Sequence, residues 1–337
     1  MTWRRLTRAL APQHGIAHGI AHGVVRGIVL VVALAAPAGA QGTVPPPTVP
    51  PPAAQNPSPM QEHTRAHERL ADTPGTPAGT RRTFDGPRGK PVALFVPAGV
   101  RHADALRLVV HFHGAAFVVE QAVARLGGDH VAAALTLGAG SGVYDRAFSD
   151  PAAWDSLLAG VVREASAALG RPADRPARIR RVTLVGWSAG YGAIRAILRD
   201  SARAAAVDAV VLLDGLHTGY VPEGTVLAAG GALDEGPLAP FARWARAAVR
   251  GEKRMLVTHS EIFPGTFAST TETTDWLVRT LGLRRTPVLR WGPRGMQQLS
   301  EARAGRLEIL GFAGNTAPDH IDHLHALPEL LRRVEAR

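Results

Sequence analysis

The sequence predicts an α/β fold: a doubly wound, mostly parallel sheet flanked by helices, in a single domain behind an N-terminal leader and a proline-rich linker. Three observations carry that expectation. Short runs of Val, Leu and Ile, apolar on both faces, recur at wide spacing from Val92 onward. Stretches of helical periodicity lie between most of them. The 337 residues are 46% apolar and include no cysteine, which is enough material for one large core and excludes a disulfide framework.

The leader comes first. Arg4, Arg5 and Arg8 open the chain, an apolar run covers residues 27–36, and Pro37-Ala38-Gly39-Ala40 supplies the small residues a signal peptidase reads. Residues 1–40 therefore read as a bacterial-type signal peptide cut after Ala40, with export to the periplasm or beyond. The apolar run falls short of the roughly 20 residues a spanning helix needs, and Pro37 interrupts it. No stable membrane insertion is expected after cleavage, with an uncleaved anchor as the alternative. The repeat from His14 to Gly23 makes the stretch before the run long and leaves the true start codon open.

Residues 41–80 read as a proline-rich linker and transition segment, largely disordered, with a short helix near Glu62–Leu70. Runs such as Val44-Pro45-Pro46-Pro47 stay extended and solvated and cannot pack a core. The folded domain is then 81–337. The formal charge is +10, nearly all of it arginine, since Lys90 and Lys253 are the only lysines. Loss of Arg4, Arg5, Arg8 and Arg26, with no acid among residues 1–40, leaves +6 on the mature chain. That excess is scattered, without a lysine-rich run or aromatics between basic residues, so no nucleic-acid partner is expected.

Within the domain, strands are expected at Val92–Val96, Leu106–His111, Val131–Leu137, Val182–Val185, Ala209–Leu213, Met255–Thr258 and Leu307–Gly311. Helices are expected at Ala152–Leu169, Gly192–Arg203 and Thr271–Leu281. Ser269-Thr270-Thr271-Glu272 is a capping box for the last of these. A final helix carries Ile321, Leu324, Leu327 and Leu331 on one face, and 217–250 could form a small lid with a helix at Phe241–Val249. Phe117–Gln121, Gly138–Ala147 and the 217–250 segment are expected to shape a pocket, with Tyr144 and Trp187 as wall candidates.

Gly186-Trp187-Ser188-Ala189-Gly190 joins an expected strand to an expected helix. A serine on so sharp a turn is strained and exposed above the sheet edge, where the helix N-terminus favours developing negative charge. Its hydroxyl is a poor nucleophile unless a base takes the proton and an acid orients that base. Asp214, at the end of a strand, is the favoured acid, and Glu261 competes for the role. His320, in the loop or first turn of the last helix, is the favoured base, and His323 is the alternative. Backbone N–H groups of Ala189, Gly114 and Ala115 are placed to hold an oxyanion, with His111 and His113 supporting their loop.

These residues, in this order, resemble the α/β-hydrolase superfamily from about residue 90 to the C-terminus. The resemblance rests on the His113-Gly114 loop, the Gly186–Gly190 elbow, an acid after a later strand and the final His320. Asp214 lies one strand earlier than the acid's usual place in that superfamily. The resemblance implies a serine hydrolase working through an acyl-enzyme, without a cofactor; with the leader, the expectation is an exported enzyme that cleaves a carboxylic ester or related acyl bond. The substrate would be a small-molecule or polymeric acyl compound, and oligomeric state is not readable. Two other readings stand beside it. His111, His113, Asp319, His320, His323 and His325 could serve a metal-dependent hydrolase, or the fold could be a secreted binding module without turnover.

Overall fold

Each of the seven apolar runs forms a strand in the computed structural model, which describes residue 70, residues 77–100 and residues 105–336. The strands in chain order are β1 (Gly79–Asp85), β2 (Pro91–Pro97), β3 (Ala105–Phe112), β4 (His130–Leu135), β5 (Arg178–Trp187) and β6 (Ala209–Leu213). They continue as β7 (Tyr220–Val221), β8 (Ala232–Leu233), β9 (Arg254–His259), β10 (Thr286–Trp291), β11 (Gln297–Ala304) and β12 (Leu307–Phe312). Ten of them make one sheet in the order β1-β2-β4-β3-β5-β6-β9-β12-β11-β10, and β7 pairs with β8 apart from it. From β4 to β12 every neighbour is parallel. The expected doubly wound, mostly parallel sheet is therefore what forms, with β5 near its middle.

Alternation along the strands feeds two cores. Leu108, Val110, Val182 and Leu184 pack to one face, and Val109 and Val185 to the other. The first face is covered by α2 (Ser141–Ser149), α3 (Pro151–Ala168), α4 (Tyr191–Arg199), α6 (Ala239–Val249) and α7 (Thr270–Thr280). The second is covered by α1 (Ala116–Leu126), α8 (Ala317–His325) and α9 (Leu327–Glu335). The short α5 (Ser201–Ala205) follows α4 after Asp200, whose carboxylate caps it by accepting from Arg203 N–H. That cap splits the single helix expected over Gly192–Arg203.

Other expectations change as well. β2 runs antiparallel to β4, and it carries β1 outward as an antiparallel edge. β10 and β11 form the opposite antiparallel edge. The outermost strands β1 and β10 are largely exposed, so no buried apolar run marks them. Helix α6 is no lid: Phe241, Trp244 and Ala245 are buried in the first core. Ile321 is 37% exposed, whereas Leu324, Leu327 and Leu331 are buried. The leader expected over 1–40 and nearly all of the linker over 41–80 lie outside the described residues. β1 opens at Gly79, two residues before the boundary expected from composition. Among the described residues no helix is long and apolar enough to cross a membrane.

Candidate active site

β5 brings Trp187 to the C-terminal edge of the sheet, and Ser188 follows with φ of 48°, in the left-handed region. A non-glycine residue there is strained by roughly 1–3 kcal/mol and persists only where its surroundings force it. The forcing contacts are visible. A Cβ on Gly190 would sit 2.0 Å from the Phe112 carbonyl oxygen of β3, and one on Gly215 would sit 2.7 Å from the Ser188 nitrogen. Small residues here let three strand ends converge on the serine. The residues Ser188–Gly190 make a 3₁₀ turn that runs directly into α4.

Asp214 ends β6 and shares the strain, with φ of 44°. It is 2% exposed, yet both its oxygens are satisfied. Oδ1 accepts from Ser260 N–H at 2.8 Å and from Thr270 Oγ1 at 2.6 Å. Oδ2 accepts from Ser260 Oγ at 2.8 Å and from His320 Nδ1 at 2.7 Å. Burial alone would push this carboxyl up. The positive charge near it at His323, the His320 hydrogen bond and charge, and the Thr270 hydroxyl outweigh burial and hold it far below the usual carboxylate range. An ionised carboxylate has no hydrogen to give, so His320 Nδ1 carries one and Nε2 is its open acceptor.

His320 sits in the first turn of α8, whose capping box pairs Thr316 with Asp319. Its carbonyl accepts from Trp187 Nε1 at 3.0 Å, and the two rings lie 4.8 Å apart. The preferred base and the preferred acid are thus joined directly. The alternatives go elsewhere. His323 is buried and its Nδ1 meets Thr258 Oγ1 at 2.7 Å. Glu261 is exposed, and its Oε2 accepts from Gly314 N–H at 3.2 Å, which braces the loop ahead of α8. Glu272 completes the expected capping box of α7 and also accepts from Tyr220 at 2.9 Å. Among the described residues no hydrogen bond joins the Ser188 hydroxyl to His320. Such bonds are commonly long until substrate is bound.

Beyond β3, His113 has φ of 68° and Gly114 has φ of 115°, so the chain turns sharply before α1 begins at Ala116. Among the described residues neither the Gly114 nor the Ala115 amide is committed to a backbone hydrogen bond. Tyr144 accepts Leu137 N–H at 3.0 Å and meets His113 Nδ1 at 2.8 Å. The Tyr144 hydroxyl thus ties the Leu137 amide to the His113 ring. Burial, then the charge of His320, pushes His113 down from its ordinary value. Its ring stacks on Trp187 at 5.2 Å. His111 is wholly buried behind the loop, and burial followed by the charge of His113 lowers it to about 3. Tyr144 and Trp187 thus support the loop from behind and line neither cavity at Ser188, and Phe117 packs on His325 instead.

Ser188 stands where two cavities meet. One, of about 430 Å³, is lined by Ser141, Ala189, Tyr191, Arg195 and Pro237 among others. The second, of about 320 Å³, is lined by Asp214, Ile262, Pro264, Thr316, Ala317 and His320 among others. Ser188, His217 and Phe267 border both. Of the expected pocket segments, Gly140, Ser141, Thr218, Gly219 and Pro237 do line the first cavity. His217 Nδ1 donates to the Ala268 carbonyl at 2.9 Å, and burial pushes this imidazole down, so it borders the serine as a neutral ring.

The sequence reading missed Ser260, Thr270 and His217. Hydroxyl residues after a strand or inside a capping box carry no local mark of the carboxylate they will meet. The imidazoles considered for a metal disperse to separate partners: His113 to Tyr144, His320 to Asp214, His323 to Thr258 and His325 to the Leu70 amide. Among the described residues no cluster of three metal-ligating side chains exists.

No protein-family model and no curated protein sequence matches the chain. Among solved structures it is similar to a mutant of the feruloyl esterase module from Clostridium thermocellum complexed with sinapinate, with a TM-score of 0.46 and 12% identity over 79% of this chain and 94% of that one. It is also similar to esterase 2 of Thermogutta terrifontis phosphonylated by cyclosarin, with a TM-score of 0.41 and 15% identity over 80% and 98%. A third is an esterase of Pyrobaculum calidifontis, with a TM-score of 0.40 and 14% identity over 82% and 92%. At these identities the likeness concerns the course of the chain and assigns no residue a role.

Proposed function

We propose that this chain is an exported serine hydrolase that cleaves carboxylic esters through an acyl-enzyme on Ser188. The observation that carries the reading is the 2.7 Å pairing of His320 Nδ1 with a buried, fully hydrogen-bonded Asp214, beside a serine held at φ of 48°. Ser188 Oγ attacks the ester carbonyl carbon while His320 Nε2 takes its proton. Asp214 keeps the imidazole in the required tautomer and offsets the charge it gains. The carbonyl oxygen becomes an oxyanion, held by the Ala189 N–H and by the Gly114 or Ala115 N–H. Loss of one such donor typically costs about 3 kcal/mol of barrier. As the tetrahedral intermediate collapses, the bond to the alcohol oxygen breaks and His320 returns the proton to that oxygen. Water, deprotonated by the same imidazole, then frees the acid and restores Ser188.

No metal ion or organic cofactor enters these steps. Export rests on the Arg4–Ala40 leader pattern ahead of Gln41. The reading is tested by hydrolysis of 4-nitrophenyl butyrate by the full-length chain beside Ser188→Ala. We expect turnover that falls at least roughly 10³-fold in the variant. Equal turnover by the two proteins would refute the mechanism.

A further inference from the structure

The two cavities at Ser188 differ in a way that bears on which ester is cleaved, and the following rests on the serine-hydrolase reading. The proton taken from Ser188 must be delivered to the leaving oxygen by His320, so the leaving group occupies the side where His320 stands. That side is the smaller cavity, walled by Ile262, Pro264, Thr316 and Ala317. The acyl arm of the same carbon is then directed into the larger cavity, which His320 does not border.

The larger cavity has one charged side chain in its wall, Arg195, and no acid. Arg195 is only 13% exposed, and it is held in place by giving its Nε hydrogen to Asp145 at 2.7 Å. Arg199 gives two hydrogens to the same carboxylate at 2.9 Å. Two guanidinium groups on one carboxylate leave a net positive charge behind the part of the wall that Arg195 forms. The guanidinium also lies 5.4 Å from the Tyr191 ring centroid, and Tyr191, Phe267 and the neutral His217 add ring surfaces to a wall otherwise built of small residues, Thr218 and Pro237. An arginine so placed matches a carboxylate in geometry as well as in sign.

We infer that Arg195 sets the acyl specificity of the enzyme, favouring esters whose acyl chain ends in a carboxylate, that is, monoesters of dicarboxylic acids. The bond formed and broken is unchanged. Ser188 takes the acyl group at its ester carbonyl, the alcohol leaves with the proton from His320, and the distal carboxylate stays intact on Arg195.

The test compares two substrates with one leaving group, the 4-nitrophenyl monoester of adipic acid and its methyl-capped diester. The readout is the ratio of kcat/KM for the first to kcat/KM for the second. In the full-length protein the ratio should exceed one. In Arg195→Gln it should fall by roughly tenfold or more, as expected for loss of a charge-assisted hydrogen bond. In Arg195→Lys, which restores the charge without the fork, it should recover in part. Raising salt from about 0.05 to about 0.5 M should lower the ratio for the unaltered protein, whatever the stability of the variants. A ratio insensitive to both Arg195→Gln and salt, with the methyl-capped ester cleaved in a Ser188-dependent way, overturns this inference alone. A protein that cleaves neither ester overturns the serine-hydrolase reading with it.

Discussion

Asp214 and Ser188 are consecutive problems for the same small volume. Both adopt left-handed backbone angles, and Gly215 lies against the Ser188 backbone, so the end of β6 can close on the elbow only because position 215 has no side chain. That closure puts Asp214 after β6, where it accepts four hydrogen bonds, while Glu261 after β9 stays exposed on the Gly314 loop. The two carboxylates are therefore separable by substitution. Asp214→Asn keeps the shape but favours the wrong imidazole tautomer, and should lower kcat by roughly 10³- to 10⁴-fold. Glu261→Gln should change kcat by less than about fivefold, because a surface contact to one loop amide is worth about 1 kcal/mol. A collapse of activity in Glu261→Gln with Asp214→Asn active would reverse the assignment. Gly190→Ala has a different outcome, since its Cβ would lie 2.0 Å from the Phe112 carbonyl oxygen. It should yield little soluble protein or a thermal midpoint lowered by roughly 10 °C, as for several kcal/mol of strain.

Two helix starts hold the charge pair together. α7 is capped by Ser269 and Glu272, and its first residue, Thr270, gives its hydroxyl hydrogen to Asp214. α8 is capped by Thr316 and Asp319, and its fourth residue is His320. Each capping box thus sets the position of one donor to the same carboxylate. Ser269→Ala should cost about 1 kcal/mol, or roughly 2–4 °C in thermal midpoint for a domain of this size. Thr270→Val removes a hydrogen bond to a buried charge and should cost about 1.5–3 kcal/mol. Because it leaves Asp214 under-solvated beside His320, it should also lower kcat with little change in KM. Calorimetry and initial rates on the pair would show it. Thr270→Val as active and as stable as the unaltered protein would mean that the Oδ1 contact has no energetic role.

At the scale of the whole molecule, acid sensitivity follows from histidines that fold away neutral. Burial, then the charge of His113, lowers His111 to about 3, and burial, then the Arg285 charge, lowers His259 to about 4. An unfolded histidine takes its proton near 6.5, so between pH 6.5 and pH 4 the unfolded chain binds more protons than the folded one. Stability from these groups is complete above pH 6.5 and is lost as pH falls, by about 1.4 kcal/mol per unit for each. Asp214 acts in a separate window, since its contribution is lost only below the ordinary carboxylate value near 3.9. Thermal midpoints should therefore fall steadily from pH 6.5 to pH 5, and a flat profile would count against neutral burial of both rings. The same scale separates what the sequence could reveal from what it could not. β3, β5, β6, β9 and β12 are buried on both faces inside the parallel run and read as apolar stretches. β1, with Arg81 and Arg82 part-exposed on its two faces, and the exposed β10 lie at the two ends of the sheet, where partners on one side alone leave no such mark. Ser188, Asp214 and His320, the proposed nucleophile, acid and base, could be nominated from their order after successive strands. Ser260, Thr270, His217 and Arg195 were not, because ordinary residues gain their meaning only from tertiary neighbours.

The most direct test is covalent. The full-length chain, Ser188→Ala and His320→Ala would be treated with a fluorophosphonate probe and analysed by intact mass and peptide mapping. The proposed site requires one probe per chain on Ser188, none on Ser188→Ala, and greatly slowed labelling of His320→Ala. A folded parent that takes up no probe, or labelling that survives in Ser188→Ala, would contradict Ser188 as the nucleophile.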